Sequence, residues 1–369
     1  MIGLRNRDPL TPTDDVPARG EEKNARRNSV AFLRWLCLFS VAAVFASLLV
    51  GDDVVNAQSA LPAYLPQQHV SGTIHIWGYG SRRDDYVGSL VRAWEAAFVR
   101  EQPNIKFANG MLGNASAIGG LYTGVADIAL MDRVAWPIEI DGYQELFHHD
   151  PAGFTVATGS IDVPHYAPAL VMLANRANPL AHVSIAQLDA LYDANRLRGA
   201  APVRSWGDLG DTGTWTARPI HIYGYRIASQ QDQFFERAVM GKGDQNWNCT
   251  LRIEPSEKEL VRAIAADPDA LGFASLASPD PLTKSLAIIP QGSDRPVSPT
   301  RATVASRAYP LAQPIWIYIN QAPGKSADSK VAEFLRFILS RDGQAIIATH
   351  GGYLPLPSAL ALTEREKVK

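Results

Sequence analysis

The stretch "TIHIWGYGSRRDDYVGSL", Thr73 to Leu90, decides how the chain is read. Its first residues alternate between polar and apolar, the period of a half-buried strand. Gly78 and Gly80 break that pattern, and from Val87 onward Leu90, Val91, Trp94, Ala97 and Phe98 recur at helical spacing. A strand, a glycine-rich turn and a helix start together form a cradle for an anion, because the first turn of a helix carries backbone N–H groups with no intrahelical partner. Single residues exclude the nucleotide versions of this cradle. A dinucleotide fingerprint beginning at Gly78 needs glycine where Arg83 stands, and a Walker loop closing on Gly324-Lys325-Ser326 needs glycine where Ile319 stands.

The same alternation continues along the chain. Ile105 to Phe107 reads as a short strand, and Gly113-Asn114-Ala115-Ser116 as a second turn opening onto Ala117 to Tyr122. Ile128 to Met131, Ala169 to Ala174, Ile220 to Tyr225, Leu271 to Ala274 and Ile315 to Ile319 read as buried strands. Helices are expected at Gln187 to Asp193 behind the cap Ser184, at Leu260 to Ala266 behind a Ser256/Glu259 capping box, and at Val331 to Leu339. Strands alternating with helices predict an α/β protein with mainly parallel sheets.

At 369 residues, 46% hydrophobic and 20% charged, the chain is long enough for two lobes rather than one. A net charge of -2 argues against a nucleic-acid coat or a broadly basic membrane surface. Two cysteines make no disulfide scaffold, and Cys249 is expected in the core. The first residues read differently from the rest. A polar segment up to Asn28 precedes an uncharged run from Trp35 to Val50, and Val55-Asn56-Ala57 supplies the small residues of a cleavage site. Residues 1–57 are thus expected to be a secretory signal with an extended polar start, an uncleaved anchor being the other reading. Residues 58–69, with Pro62 and Pro66, read as a linker.

Three polar loops follow strands: Gly80-Ser81-Arg82-Arg83, Asn114-Ala115-Ser116, and Arg226 through Ser229 and Gln230. Each alone has an ordinary explanation as a helix cap. Asp132, just after Ile128 to Met131, is harder to explain that way. A carboxylate beside an anion repels it unless the anion donates a proton, which a monohydrogen or dihydrogen oxyanion can do and sulfate at neutral pH cannot. The plainer reading of Asp132 is a surface ion pair with Arg133. His148-His149-Asp150 reads as a solvated loop, and neither HExxH, GxSxG nor a spaced Cys/His cluster occurs. No catalytic residue, metal or cofactor is expected.

In this order the motifs resemble the phosphate-binding receptors of ABC importers, within the type II periplasmic binding proteins. The resemblance spans about residues 70–358 and is carried by "WGYGS", "GNASAIGGLYTGVADIALMD", "LDALYDANRLRGAAPVRSWGDLG", "DPDALGFASL", "YPLAQPIWIYIN" and "FLRFILSRDGQAIIATHGGYLPLP". It implies two lobes, each a mainly parallel sheet flanked by helices, joined by two crossing segments, with 70–166 and 298–369 in one lobe and 167–297 in the other. It further implies a periplasmic monomer that captures phosphate or a related oxyanion and delivers it to an ABC permease of the inner membrane. By the same resemblance Ser81, with Arg82, becomes the first-loop contact, and Asn114 to Ser116 the second. Asp132 becomes the proton acceptor and Arg226 the ligand arginine. The third loop departs from the family's Ser-Gly-Thr turn: Gln230 stands where the serine is expected and Asp232 near the threonine. Asp232 would repel an anion or cap its own helix. That departure keeps open a non-transport anion-binding or sensory protein. A phosphatase-type hydrolase is disfavoured, since no activated nucleophile lies beside a base.

Overall fold

The computed structural model describes residues 60–80, 86–163, 167–225, 229–240, 246–278 and 280–369, without the side chains of Tyr86, Tyr225 and Gln230. The expected signal segment lies outside the described residues.

One lobe is built on strands β1 (Gly72–Gly78), β2 (Ile105–Gly110), β3 (Ile128–Met131), β4 (Ala152–Thr158) and β11 (Pro314–Ile319), in the order β2-β1-β3-β11-β4. The other holds β5 (Leu170–Asn175), β6 (His182–Ser184), β7 (His221–Tyr225), β8 (Arg252–Glu254), β9 (Ala270–Ser275) and β10 (Thr283–Ile289), in the order β6-β10-β5-β9-β7-β8. Only one strand in each sheet runs against the rest. β11 is antiparallel to both β3 and β4, and β5 is antiparallel to both β9 and β10, while the remaining pairings are parallel. These two are the strands that the chain enters on arriving from the other lobe. A chain that leaves one sheet at its carboxyl edge must enter the next from that same edge, so the arriving strand is reversed.

β3 is buried along its whole length, and its alternation divides it between two packing layers. Ile128 and Leu130 face a core that includes Val87, Leu90, Val91, Trp94 and Phe98 of the helix Tyr86–Glu101, while Ala129 and Met131 pack with Ile118, Leu121 and Tyr143 on the opposite side. Burial on both faces explains why the segment reads as an unbroken apolar run. In the second lobe β5 and β9 are likewise wholly buried. There Phe235 stacks on Phe273, with ring centroids 4.1 Å apart. Ser184 and Ser256 cap their helices as expected, each accepting a backbone N–H with its hydroxyl oxygen.

Three expectations change. Residues 60–69 are not a spacer: Leu61 and Tyr64 are core residues of the first lobe, and the Tyr64 hydroxyl donates to Glu333 over 2.7 Å. The two prolines mark an extended strap, and Leu61 and Tyr64 anchor it. The stretch after Val297 does not return at once to the first lobe, because Val304, Tyr309, Leu311 and Ala312 belong to the second core. Cys249 is exposed rather than buried.

The crossings touch each other. The Gly159 N–H donates to the Gln313 carbonyl (2.6 Å), the Leu170 N–H to the Leu311 carbonyl (2.9 Å), and the Gln313 side-chain amide to the Pro168 carbonyl (2.8 Å). Glycine is required at 159, since a Cβ there would lie 1.8 Å from the Ala167 carbonyl oxygen of its own crossing and 2.8 Å from the Gln313 carbonyl oxygen of the other. Gly159→Ala is therefore expected to lower the unfolding free energy by about 1–3 kcal/mol in a urea titration. An unchanged midpoint would contradict this packing of the crossings.

Candidate functional site

The carboxyl ends of β1, β2 and β3 are drawn together by backbone contacts. Gly78, at φ 129°, lies so close to β3 that a Cβ would meet the Leu130 carbonyl oxygen at 2.1 Å. The next N–H, of Tyr79, donates to that carbonyl over 2.7 Å, and the Gly113 N–H donates to the Gly78 carbonyl over 2.8 Å. The result places Tyr79, Asn114 and Asp132, from three loops, around one point.

Asp132 is fully buried and its carboxylate accepts from the Asn114 side-chain amide over 2.6 Å. The Asn114 amide oxygen in turn accepts from the Asp132 N–H over 3.3 Å. Tyr79 is the second donor to the carboxylate. Burial first, and then the negative charge of Asp132, push its phenol far above the ordinary range, so it stays protonated and keeps its hydrogen bond to Asp132. Tyr353 donates to the Tyr79 oxygen over 3.2 Å and holds it in place. A buried carboxylate with two neutral donors is fixed in direction and can still accept a proton-bearing ligand.

Arg133 does not pair with Asp132, contrary to the plainer reading. It makes two 2.8 Å bonds to the Glu139 carboxylate and stacks 3.8 Å over the Trp136 ring, with little of it exposed. Asn114 and Asp132 are thus brought together, but Asn114 positions the aspartate rather than standing as an independent donor. Ser116 donates its hydroxyl to the Gly113 carbonyl over 2.8 Å, which closes its own turn. Ser229 caps the helix Gln230–Phe235 by accepting the Asp232 N–H, and its hydroxyl proton has no acceptor among the described residues. Asp232 is buried in the first turn of that helix and is not its cap. Ser81, Arg82, Arg226 and the Gln230 side chain lie outside the described residues.

A cavity of about 310 Å³ adjoins Asp132 between the lobes. Asp132, Arg133 and Trp136 line it from the first lobe, Phe234 and Arg237 from the second, and Arg307 from the returning chain. Tyr79, Arg237 and Arg307 are the residues that sequence reasoning missed. Tyr79 lies inside the opening motif, and its position between two glycines was the available signal. For the two arginines, motif and spacing held none. His148, by contrast, is an exposed left-handed C-cap of the helix Pro137–Phe147.

Residues 84–342 match the PBP superfamily domain. The chain is 26% identical over 319 residues to the phosphate-binding protein PstS of Pseudomonas aeruginosa, covering 86% of this chain and 94% of that protein. An ABC-type phosphate transport receptor from Vibrio cholerae superimposes with a TM-score of 0.51 at 22% identity, over 77% of this chain and 99% of that one. PstS from Borrelia burgdorferi does so at 0.52 and 15% identity, over 78% and 99%. At these identities the two structures bear on the fold alone.

Asn114→Ala removes a donor from a buried carboxylate, so it is expected to cost about 1–3 kcal/mol of stability. Chemical denaturation checks this, and a wild-type unfolding curve would contradict the role given to Asn114.

Proposed function

The chain belongs to the PBP superfamily, and from that premise we propose that it is an extracytoplasmic solute-binding protein that captures phosphate or a related oxyanion between its lobes for delivery to an ABC permease. The observation that carries the reading is Asp132, held by Asn114 and Tyr79 where it adjoins the interlobe cavity. A bare carboxylate is a poor neighbour for an anion, and burying one is costly without compensation. It becomes useful when the ligand brings its own proton, because the hydrogen bond then selects a protonated oxyanion over one with none. The name and extent of the Pseudomonas aeruginosa relative support the same ligand class.

In this reading Ser81 with Arg82, Arg226, Ser229 and Gln230 supply the donors that surround the anion, and Asp132 supplies the acceptor. Neutral hydroxyl and amide donors hold an anion in a dry site without a mobile counter-charge. The lobes close about the two crossings, and the bound form is selected by its greater affinity for the ligand. The ligand leaves as it arrived, with no bond made or broken, and a monomer suffices. The Pseudomonas aeruginosa relative is a binding protein by name. Among the described residues no helix is long and apolar enough to cross a membrane. Export to the periplasm therefore rests on the segment 1–57.

Calorimetry with phosphate and sulfate tests the assignment. The wild type is expected to bind phosphate and reject sulfate. Asp132→Asn is expected to narrow that discrimination by about tenfold or more, since the repulsion is removed while the donors remain. A variant that rejects sulfate as strongly as the wild type would remove Asp132 from the selecting role.

A further inference from the structure

The interlobe cavity is larger and more cationic than an inorganic oxyanion requires. At the ~30 Å³ that each water claims in the liquid, 310 Å³ holds about ten waters, whereas a tetrahedral oxyanion displaces only a few. Of its three arginines, Arg133 is committed to Glu139. Arg237 and Arg307 are only partly exposed, and neither guanidinium has a hydrogen-bond or ion-pair partner among the described residues. A half-buried guanidinium keeps its charge and its five donors, so leaving it unpaired is unfavourable unless something else fills the place. Burial pushes both arginines below their usual range; for Arg237 the positive charge of Arg133 adds to this while Glu236 and Glu139 oppose it, and for Arg307 the more distant Glu364 opposes it without pairing.

Both arginines owe their position to a local irregularity. Arg237 lies on the π-helical turn Glu236–Met240, which follows directly on the helix Gln230–Phe235. Arg307 has a left-handed backbone, with φ 60°. Such features cost stability and recur at binding sites, where they re-aim a side chain. Here two independent ones point unpaired cations into the same cavity. Its walls also include Trp136, Phe234 and Trp316, which offer apolar surface to a spacer.

We propose that the cleft takes an oxyanion bearing a second anionic group on a short spacer, with the oxyanion at Asp132 and the second group held by Arg237 and Arg307. This rests on the reading of the chain as an oxyanion receptor and narrows its ligand class.

The test is calorimetry with inorganic phosphate, pyrophosphate and phosphonoacetate on the wild type and on Arg237→Gln and Arg307→Gln. At least one of the two larger probes is expected to bind about tenfold or more tightly than phosphate. In each variant that preference is expected to fall by about tenfold. The readout is a ratio of affinities, so a variant that merely loosens the fold lowers both and leaves the ratio unchanged. Phosphate bound as tightly as either larger probe, or a ratio untouched in both variants, overturns the inference and leaves the oxyanion reading standing. Binding of none of the three anions by the wild type overturns both.

Discussion

Among the described residues the chain passes between its lobes at the carboxyl edges of their sheets, and the rest of the molecule follows from that constraint. An arriving strand must run away from the hinge, which makes β5 and β11 the reversed members of otherwise parallel sheets. Every other strand then ends toward the space between the lobes. Residues that follow β1, β2 and β3, namely Tyr79, Asn114 and Asp132, are thereby gathered at one point. The bonds from Gly159 to Gln313 and from Leu170 to Leu311 keep the crossings together, so any movement of the lobes is a rotation about them.

Within that cleft the energetics are governed by the handling of charge. Asp132 is buried, yet it is supplied with an amide and a phenol and is not left to repel. Arg133 is neutralised by Glu139 and stacked on Trp136, so it serves as a wall. What remains is a buried carboxylate on one side of the cavity and, on the other, two arginines with no ion-pair partner among the described residues. A ligand that satisfies both ends would complete the site electrostatically and draw the lobes together. Selectivity of this kind depends as much on what the carboxylate refuses as on what the arginines attract.

Much of the fold was legible because periodicity and burial agree. Ile128 to Met131 matches its strand from end to end, and the apolar spacing from Val87 to Phe98 matches the buried face of its helix. β4 and β10 were not singled out: β4 has a glycine near its start, and β10 alternates only weakly between buried and exposed positions. The strap at 60–69 was misread because proline content describes a backbone and not what Leu61 and Tyr64 touch. In the site, Asp132 was legible as a residue out of keeping with its surroundings. The role of Asn114 was not, since its partner is eighteen residues away and the pairing exists only once β2 and β3 are placed. Arg237 and Arg307 were invisible for a further reason, because a π turn and a left-handed residue leave no mark in a hydrophobic pattern.

The central claim is that an oxyanion is held between the lobes against a carboxylate that accepts its proton. A crystal structure of the protein grown with phosphate tests it most directly. The account predicts closed lobes, with one phosphate oxygen within about 2.5–2.7 Å of the Asp132 carboxylate, as expected for a charge-assisted O–H···O bond. An anion bound elsewhere, or one in the cleft that makes no contact with Asp132, would contradict it.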